Sequence, residues 1–169
     1  MSQAIEARRS IRKFKPGIPV TREQVDKLLR AAMLAPSACN TRAWEFIAVT
    51  KRDTLDEIAR VHPYAKMCST AGAAIVIVAR PQDQPGMPSG YFPQDCGAAT
   101  QNILIEAVEL GLGACWCGVY PKEERIAEMR TLFGIKEPSV PFCVIAVGVP
   151  DEEPKQRGHF DAGKVTYVE

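Results

Sequence analysis

DCGAATQNILIEAVELGLGACWCGVYP, residues 95–121, opens with sixteen positions that are nearly all apolar or small. After Asp95 the polar exceptions are Gln101, Asn102, Glu106 and Glu109. A helix so apolar around its circumference has to be covered on most sides. In a chain of 169 residues that makes 95–110 a central helix, with part of its cover expected from a second subunit. Gly111 ends it. ACWCGVY, from Ala114, then reads as a strand and its exit.

Working outward, Gln3–Arg9 suits a short helix. Thr21 and Gln24 have capping-box spacing, and Val25, Leu28, Leu29, Ala32 and Met33 follow at i, i+3, i+4, i+7 and i+8. That is an amphipathic helix ending before Pro36. WEFIAVT (44–50) reads as a strand, and Asp53 as the cap of a helix over 54–61. AAIVIVA (73–79) is continuously apolar, as befits a strand covered on both faces. Residues 81–93 hold four prolines and two glycines, a loop and the place for a mobile flap. A helix over 122–133, closed by Gly134 and Pro138, and a core strand over 141–149 complete the core elements. The polar tail from Pro150 ends in KVTYVE, where Val165 and Tyr167 alternate like an edge strand. Its length suits a frayed terminus or a segment that crosses to a partner subunit. At 169 residues the chain reads as one domain over 1–169, the tail being 150–169.

Composition narrows the function. Hydrophobic residues are 46%, charged residues 24% and the formal net charge is +1, which argues against a general nucleic-acid binder. No apolar run approaches the roughly 20 residues that span a bilayer. Residues 1–20 are cationic without an apolar core and so do not read as a secretory signal. Six cysteines occur without a CxxC pair, and there are two histidines, His62 and His159. For Cys115-Trp-Cys117 the expectation is that the two thiols point to opposite faces of a strand and share no metal. Reduced, mostly buried thiols in a cytoplasmic protein follow.

GLGACW offers Gly111-x-Gly113 without a third glycine and in helix-to-strand order, the reverse of a Rossmann turn. There is no P-loop, and no catalytic triad stands out. Three polar patches remain. Arg8-Arg9-Ser10-x-Arg12 has the forked donors and hydroxyl that suit a phosphate monoester, or is a solvated basic turn. PSACNTRAW (36–44), with Ser37, Asn40 and Thr41, is a polar helix-to-strand loop or plain turn chemistry. Lys155 and Arg157 are tail cations.

In order, these patches resemble the nitroreductase family of flavoproteins. RRSIRKF (8–14) resembles its R-R-S-[IV]-R-x-[FY], and APSACNTRAWEF (35–46) its A-P-S-x-x-N-x-Q-P-W-x-F. Residues 95–121 resemble its long helix followed by G-L-G-x-x-W-x-G, and 154–169 its C-terminal segment. The resemblance covers nearly the whole chain and implies a nitroreductase-like α+β fold. The sheet would be mixed or mostly antiparallel and flanked by helices, in a homodimer that exchanges its C-terminal strand and holds FMN at its interface.

The resemblance also implies roles. Arg8, Arg9 and Ser10 hold the FMN phosphate and ribityl chain. Arg12 faces the flavin N1–O2 edge, with Lys66 as a second cation there. Pro36, Ser37, Ala38 and Asn40 reach the flavin from the other subunit. Cys117 and Gly118 lie over it, and Lys155 and Arg157 complete the phosphate site. The donor is NADH or NADPH and the acceptor a small molecule such as a nitroaromatic or quinone, in a ping-pong cycle that requires no protein nucleophile and no metal. Two departures stand out: Arg42-Ala43 replaces the family's Gln-Pro, and His159 replaces an Arg. Dehalogenation or ene reduction on the same scaffold, a flavin-binding protein without turnover, and a basic-ended RNA-binding module are the competing readings.

Overall fold

The computed structural model describes residues 2–87, 90–155, 158 and 160–169. After a short helix α1 (Gln3–Ala7), the capping box opens α2 (Arg22–Met33). Gln24 N–H donates to Thr21 Oγ1 at 3.2 Å, and Thr21 N–H donates to Gln24 Oε1 at 2.9 Å. Four strands, β1 (Trp44–Val49), β2 (Ala73–Ala79), β3 (Gly113–Gly118) and β4 (Val140–Gly148), form one sheet in the order β1-β2-β4-β3. All three pairings are antiparallel.

Both faces of the sheet are covered, and strand parity sorts the core. Ile75, Ile77, Cys143 and Ile145 face α2 and α4 (Tyr91–Glu109), meeting Val25, Leu28 and Ile103. Val76, Val78, Val144 and Ala146 face α3 (Arg52–Val61) and α5 (Glu123–Phe133), meeting Leu55, Ile58 and Met129. That is why every residue of β2 is buried and why its sequence is an unbroken apolar run.

The segment after α1 runs along the free edge of β3. Ser10 bridges Ala114, Ile11 N–H donates to Ala114 O at 3.0 Å, and Phe14 bridges Pro150. Close approach at the start of β2 requires a glycine. A Cβ on Gly72 would lie 2.7 Å from Ile18 O and 2.8 Å from Val20 N, both backbone atoms. Gly72→Ala is therefore expected to cost about 1–3 kcal/mol by overpacking, read as a lower urea midpoint at unchanged slope. An unchanged midpoint would contradict the contact.

The structure corrects four expectations. Asp53 does not cap α3: the helix begins at Arg52 behind Lys51, and Asp53 sits in the first turn, where its charge favours the positive helix end. The 81–93 loop ends sooner than expected, because Tyr91, Phe92 and Pro93 already form the first turn of α4. A proline there gives up an N–H that has no helical partner. Cys115 and Cys117 point to the same face of β3, into the α3/α5 side of the core, while Trp116 faces away. Residues two apart in a strand share a face. Finally, 165–169 form no strand within the subunit, since a strand has no ladder without a neighbour. From 160 on, the described tail is exposed.

Candidate active site

Four cations meet where the segment after α1 passes the start of the tail. Arg8, Arg9, Ser10, Arg12 and Lys155, with the Glu152 carboxylate, are among the residues lining a cavity of about 430 Å³. Local backbone geometry brings them together. Asp151 N–H donates to Lys13 O at 2.9 Å. Glu152 Oε1 accepts from the N–H groups of Arg12 at 2.5 Å and Lys13 at 3.0 Å. These bonds, the Arg12 one foremost, hold the Glu152 carboxyl below its ordinary range. Glu152 thus spends its charge on backbone donors while drawing the tail, and Lys155 with it, against residues 12–13.

Among the described residues, Arg8, Arg9, Arg12 and Lys155 form no ion pair. Arg9 Nη1 donates to Glu6 O and Arg8 O, both at 2.7 Å, while its buried Nε has no partner. Four cations against the single carboxylate of Glu152, itself engaged by backbone N–H groups, leave an excess of positive charge, so the arrangement is complementary to a polyanion.

A second cavity, of about 450 Å³, shares Arg12 with the first. Lys66, Met67, Cys115, Cys117 and Gly118 are among its lining residues. In β3 the amides alternate in direction. Val119 N–H donates to Phe142 O on β4, whereas Ala114 O faces Ile11 on the outer edge. By that alternation the Gly118 N–H also faces outward, away from β4. A Cβ on Gly118 would meet nothing within 4 Å. The site is open, and an outward amide is available in it. Cys117 is 3% exposed and its Sγ lies 3.2 Å from Tyr64 O. Its hydrogen bond with Cys115, then burial, pushes its pKa up. It is a protonated thiol, not a thiolate nucleophile.

Pro36, Ser37, Ala38 and Asn40 line neither cavity. Their loop is held instead by a buried polar network. Asp95 accepts from Ala38 N–H at 2.9 Å and from Gln84 Nε2 at 2.7 Å, and Gln84 also reaches Thr41 Oγ1 at 3.1 Å. Cys39, Asn40 and Arg42 adopt left-handed φ values of 49°, 55° and 52°. Such strain is kept where surrounding bonds over-determine it, typically at functional loops. Arg42 is exposed, its Nε 3.2 Å from Asn40 Oδ1. Arg157 and His159 lie outside the described residues.

The family model for the nitroreductase family matches residues 5–65 and 60–149. The chain belongs to the nitroreductase family. A relative from Methanothermobacter thermautotrophicus, called "Putative NADH dehydrogenase/NAD(P)H nitroreductase", is 45% identical over 163 residues, covering 96% of this chain and 84% of its own. A crystal structure from Clostridium acetobutylicum, called "Putative NADH Oxidase", superposes with a TM-score of 0.92 at 42% identity, covering 99% of both chains. An FMN-dependent nitroreductase from Clostridium difficile R20291 has a TM-score of 0.89 at 31% identity, covering 100% of this chain and 99% of its own.

Several residues that shape this nitroreductase-family site escape the sequence. Glu152 meets Arg12 across 140 positions, and Gln84 meets Thr41 across 43. Nothing local marks either. Asp95 announces itself only as a carboxylate on an otherwise apolar helix. His62, 1% exposed, could have been suspected as one of two histidines in the chain.

Proposed function

We propose that this chain is an NAD(P)H oxidoreductase that works through FMN, as a single FMN-binding domain in a homodimer. The observation that carries the reading is the pair of cavities joined at Arg12. One is lined by four cations, a hydroxyl and a single carboxylate, the other by Lys66, Met67, Cys117 and Gly118 with an outward backbone amide. The donor set fits a flavin mononucleotide. Arg8, Arg9, Ser10 and Lys155 would bind its phosphate and ribityl chain, and among the described residues the buried Arg9 Nε has no partner. Arg157 is proposed for the same phosphate from the sequence alone.

Bound FMN supplies hydride acceptance from NADH or NADPH and electron transfer to a second substrate. The protein's part is electrostatic and geometric. Arg12 and Lys66 would keep positive charge at the edge where the reduced ring becomes negative, which favours reduction and its transition state. Gly118 would present its amide to the ring beside Cys117. Pro36, Ser37, Ala38 and Asn40 would enter from the partner subunit, which accounts for a strained, well-anchored loop whose residues line neither of these two cavities in their own subunit. One face serving donor and acceptor in turn gives a ping-pong cycle, with a nitroaromatic or quinone as the acceptor class.

The test is a visible spectrum of the purified protein, taken before and after anaerobic NADH or NADPH. A yellow protein that bleaches is expected. A yellow protein that stays yellow would remove the pyridine-nucleotide donor, and a colourless protein that does not take up FMN would remove the flavin reading altogether.

A further inference from the structure

The end of β3 is tied to the opposite cavity wall by a ring of contacts that the reading above leaves unused. The Gly118 carbonyl accepts two side-chain hydrogen bonds, from His62 Nε2 at 3.0 Å and from Arg125 Nη1 at 2.9 Å. His62 follows α3 and Arg125 lies on α5, so two separate elements converge on one peptide oxygen. The imidazole is used at both nitrogens: Tyr64 N–H donates to His62 Nδ1 at 3.2 Å. That places the ring proton on Nε2, the donor to Gly118. The Tyr64 carbonyl closes the circuit by accepting from Cys117 Sγ.

His62 stays neutral, since burial lowers its pKa, the Gly118 carbonyl opposes that shift, and the Arg125 charge adds to it. Arg125 is half-buried, and its guanidinium lies 4.9 Å from the Tyr64 ring centroid. Among the described residues it has no carboxylate partner. A guanidinium partly withdrawn from water without a counter-charge is unfavourable for folding alone. Its two partners, Gly118 and Tyr64, both line the second cavity.

We infer that His62 and Arg125 are positioning residues for the reduced-cofactor side of the site. Together they anchor the Gly118–Val119 peptide, directly next to the peptide that carries the Gly118 N–H, and through Tyr64 the wall that carries Lys66 and Met67. Arg125 also keeps a net positive charge just behind that wall. The inference rests on the flavin reading above. It goes further by assigning to residues outside the cavity lining the control of where the Gly118 amide points and of how readily the bound ring accepts charge. Cys117 gains a role as well: its protonated thiol is a strut to Tyr64, not a redox group.

The experiment compares FMN-loaded wild type with Arg125→Met, Arg125→Lys and His62→Gln. It reads the midpoint potential of the bound flavin, FMN affinity by fluorescence, and the melting temperature of each apoprotein. Arg125→Met keeps the stem and removes charge and donor. It should lower the midpoint potential and weaken FMN binding roughly tenfold, within the range for residues that act on a ligand without touching it. Arg125→Lys should recover most of the potential, because it restores the charge. His62→Gln keeps an N–H donor and should fall between wild type and Arg125→Met. Wild-type-like potential and affinity in Arg125→Met, with wild type fully loaded, would overturn the positioning role while leaving the flavin reading intact. So would a fall in potential that tracks apoprotein melting and is not relieved by lysine. Failure of the wild type to take up FMN would sink both readings together.

Discussion

Replacing Arg8 and Ser10 with alanine is expected to strip FMN from the protein while leaving the polypeptide folded. Arg8 is half-buried and forms no ion pair among the described residues, so its charge contributes little to the fold. Ser10 is held through its backbone, by the bridge to Ala114, which alanine can equally make. Against a phosphate dianion the same two side chains matter more. A charge-assisted hydrogen bond is worth about 1.5–3 kcal/mol and a neutral one about 1 kcal/mol. Loss of both corresponds to roughly a hundredfold to a thousandfold weaker binding. The measurement is the flavin-to-protein ratio after gel filtration, with far-UV circular dichroism and melting temperature as the fold control. Full flavin occupancy in the double variant would refute the phosphate assignment. Loss of flavin together with loss of secondary structure would refute the claim that these groups are spared from folding.

What the sequence makes legible are the features whose cause is local. The capping box at Thr21 works within one turn, and β2 reads as doubly covered because all seven of its residues are apolar. The long helix is visible because its composition leaves few polar positions for solvent. Within one subunit, though, its Gln101 and Glu109 are exposed, and Ala98, Ile105 and Val108 are only half-buried, so part of its apolar surface is uncovered. The cations at 8–12 are visible by their crowding, but what keeps them together is not. Glu152 acts through backbone N–H groups, which every sequence has and none advertises. The His62–Gly118 and Gln84–Asp95 contacts depend on where loops close in space, not on spacing along the chain. The misplacement of Cys115 and Cys117 is of another kind. The strand itself is correctly read, and only its two-residue period was miscounted.

Under the proposed tail exchange, removing residues 155–169 is expected to abolish the homodimer and yield monomers or aggregates. The tail divides into two parts. Asp151 and Glu152 bond to residues 12–13 of the same subunit, so a cut after Pro154 leaves that clamp in place. Beyond it, Phe160 and Tyr167 are each 76% exposed and Val168 is 95% exposed. Two aromatics and a valine on a segment with no cover of its own form surface that a second subunit could bury. The sheet offers a place for it. β1 is an edge strand, paired only with β2, and beside it lies a cavity of about 540 Å³ whose lining includes Leu29, Met33, Trp44 and Phe46. An uncapped edge of this kind is a site for strand addition and, when exposed, for aggregation. Full-length and shortened proteins would be compared by sedimentation velocity. Because the cut also removes Lys155, a Lys155→Ala variant of the full chain controls for the lost phosphate contact and should stay dimeric. A shortened protein that remains a stable dimer would rule out the exchanged tail as the main link between subunits.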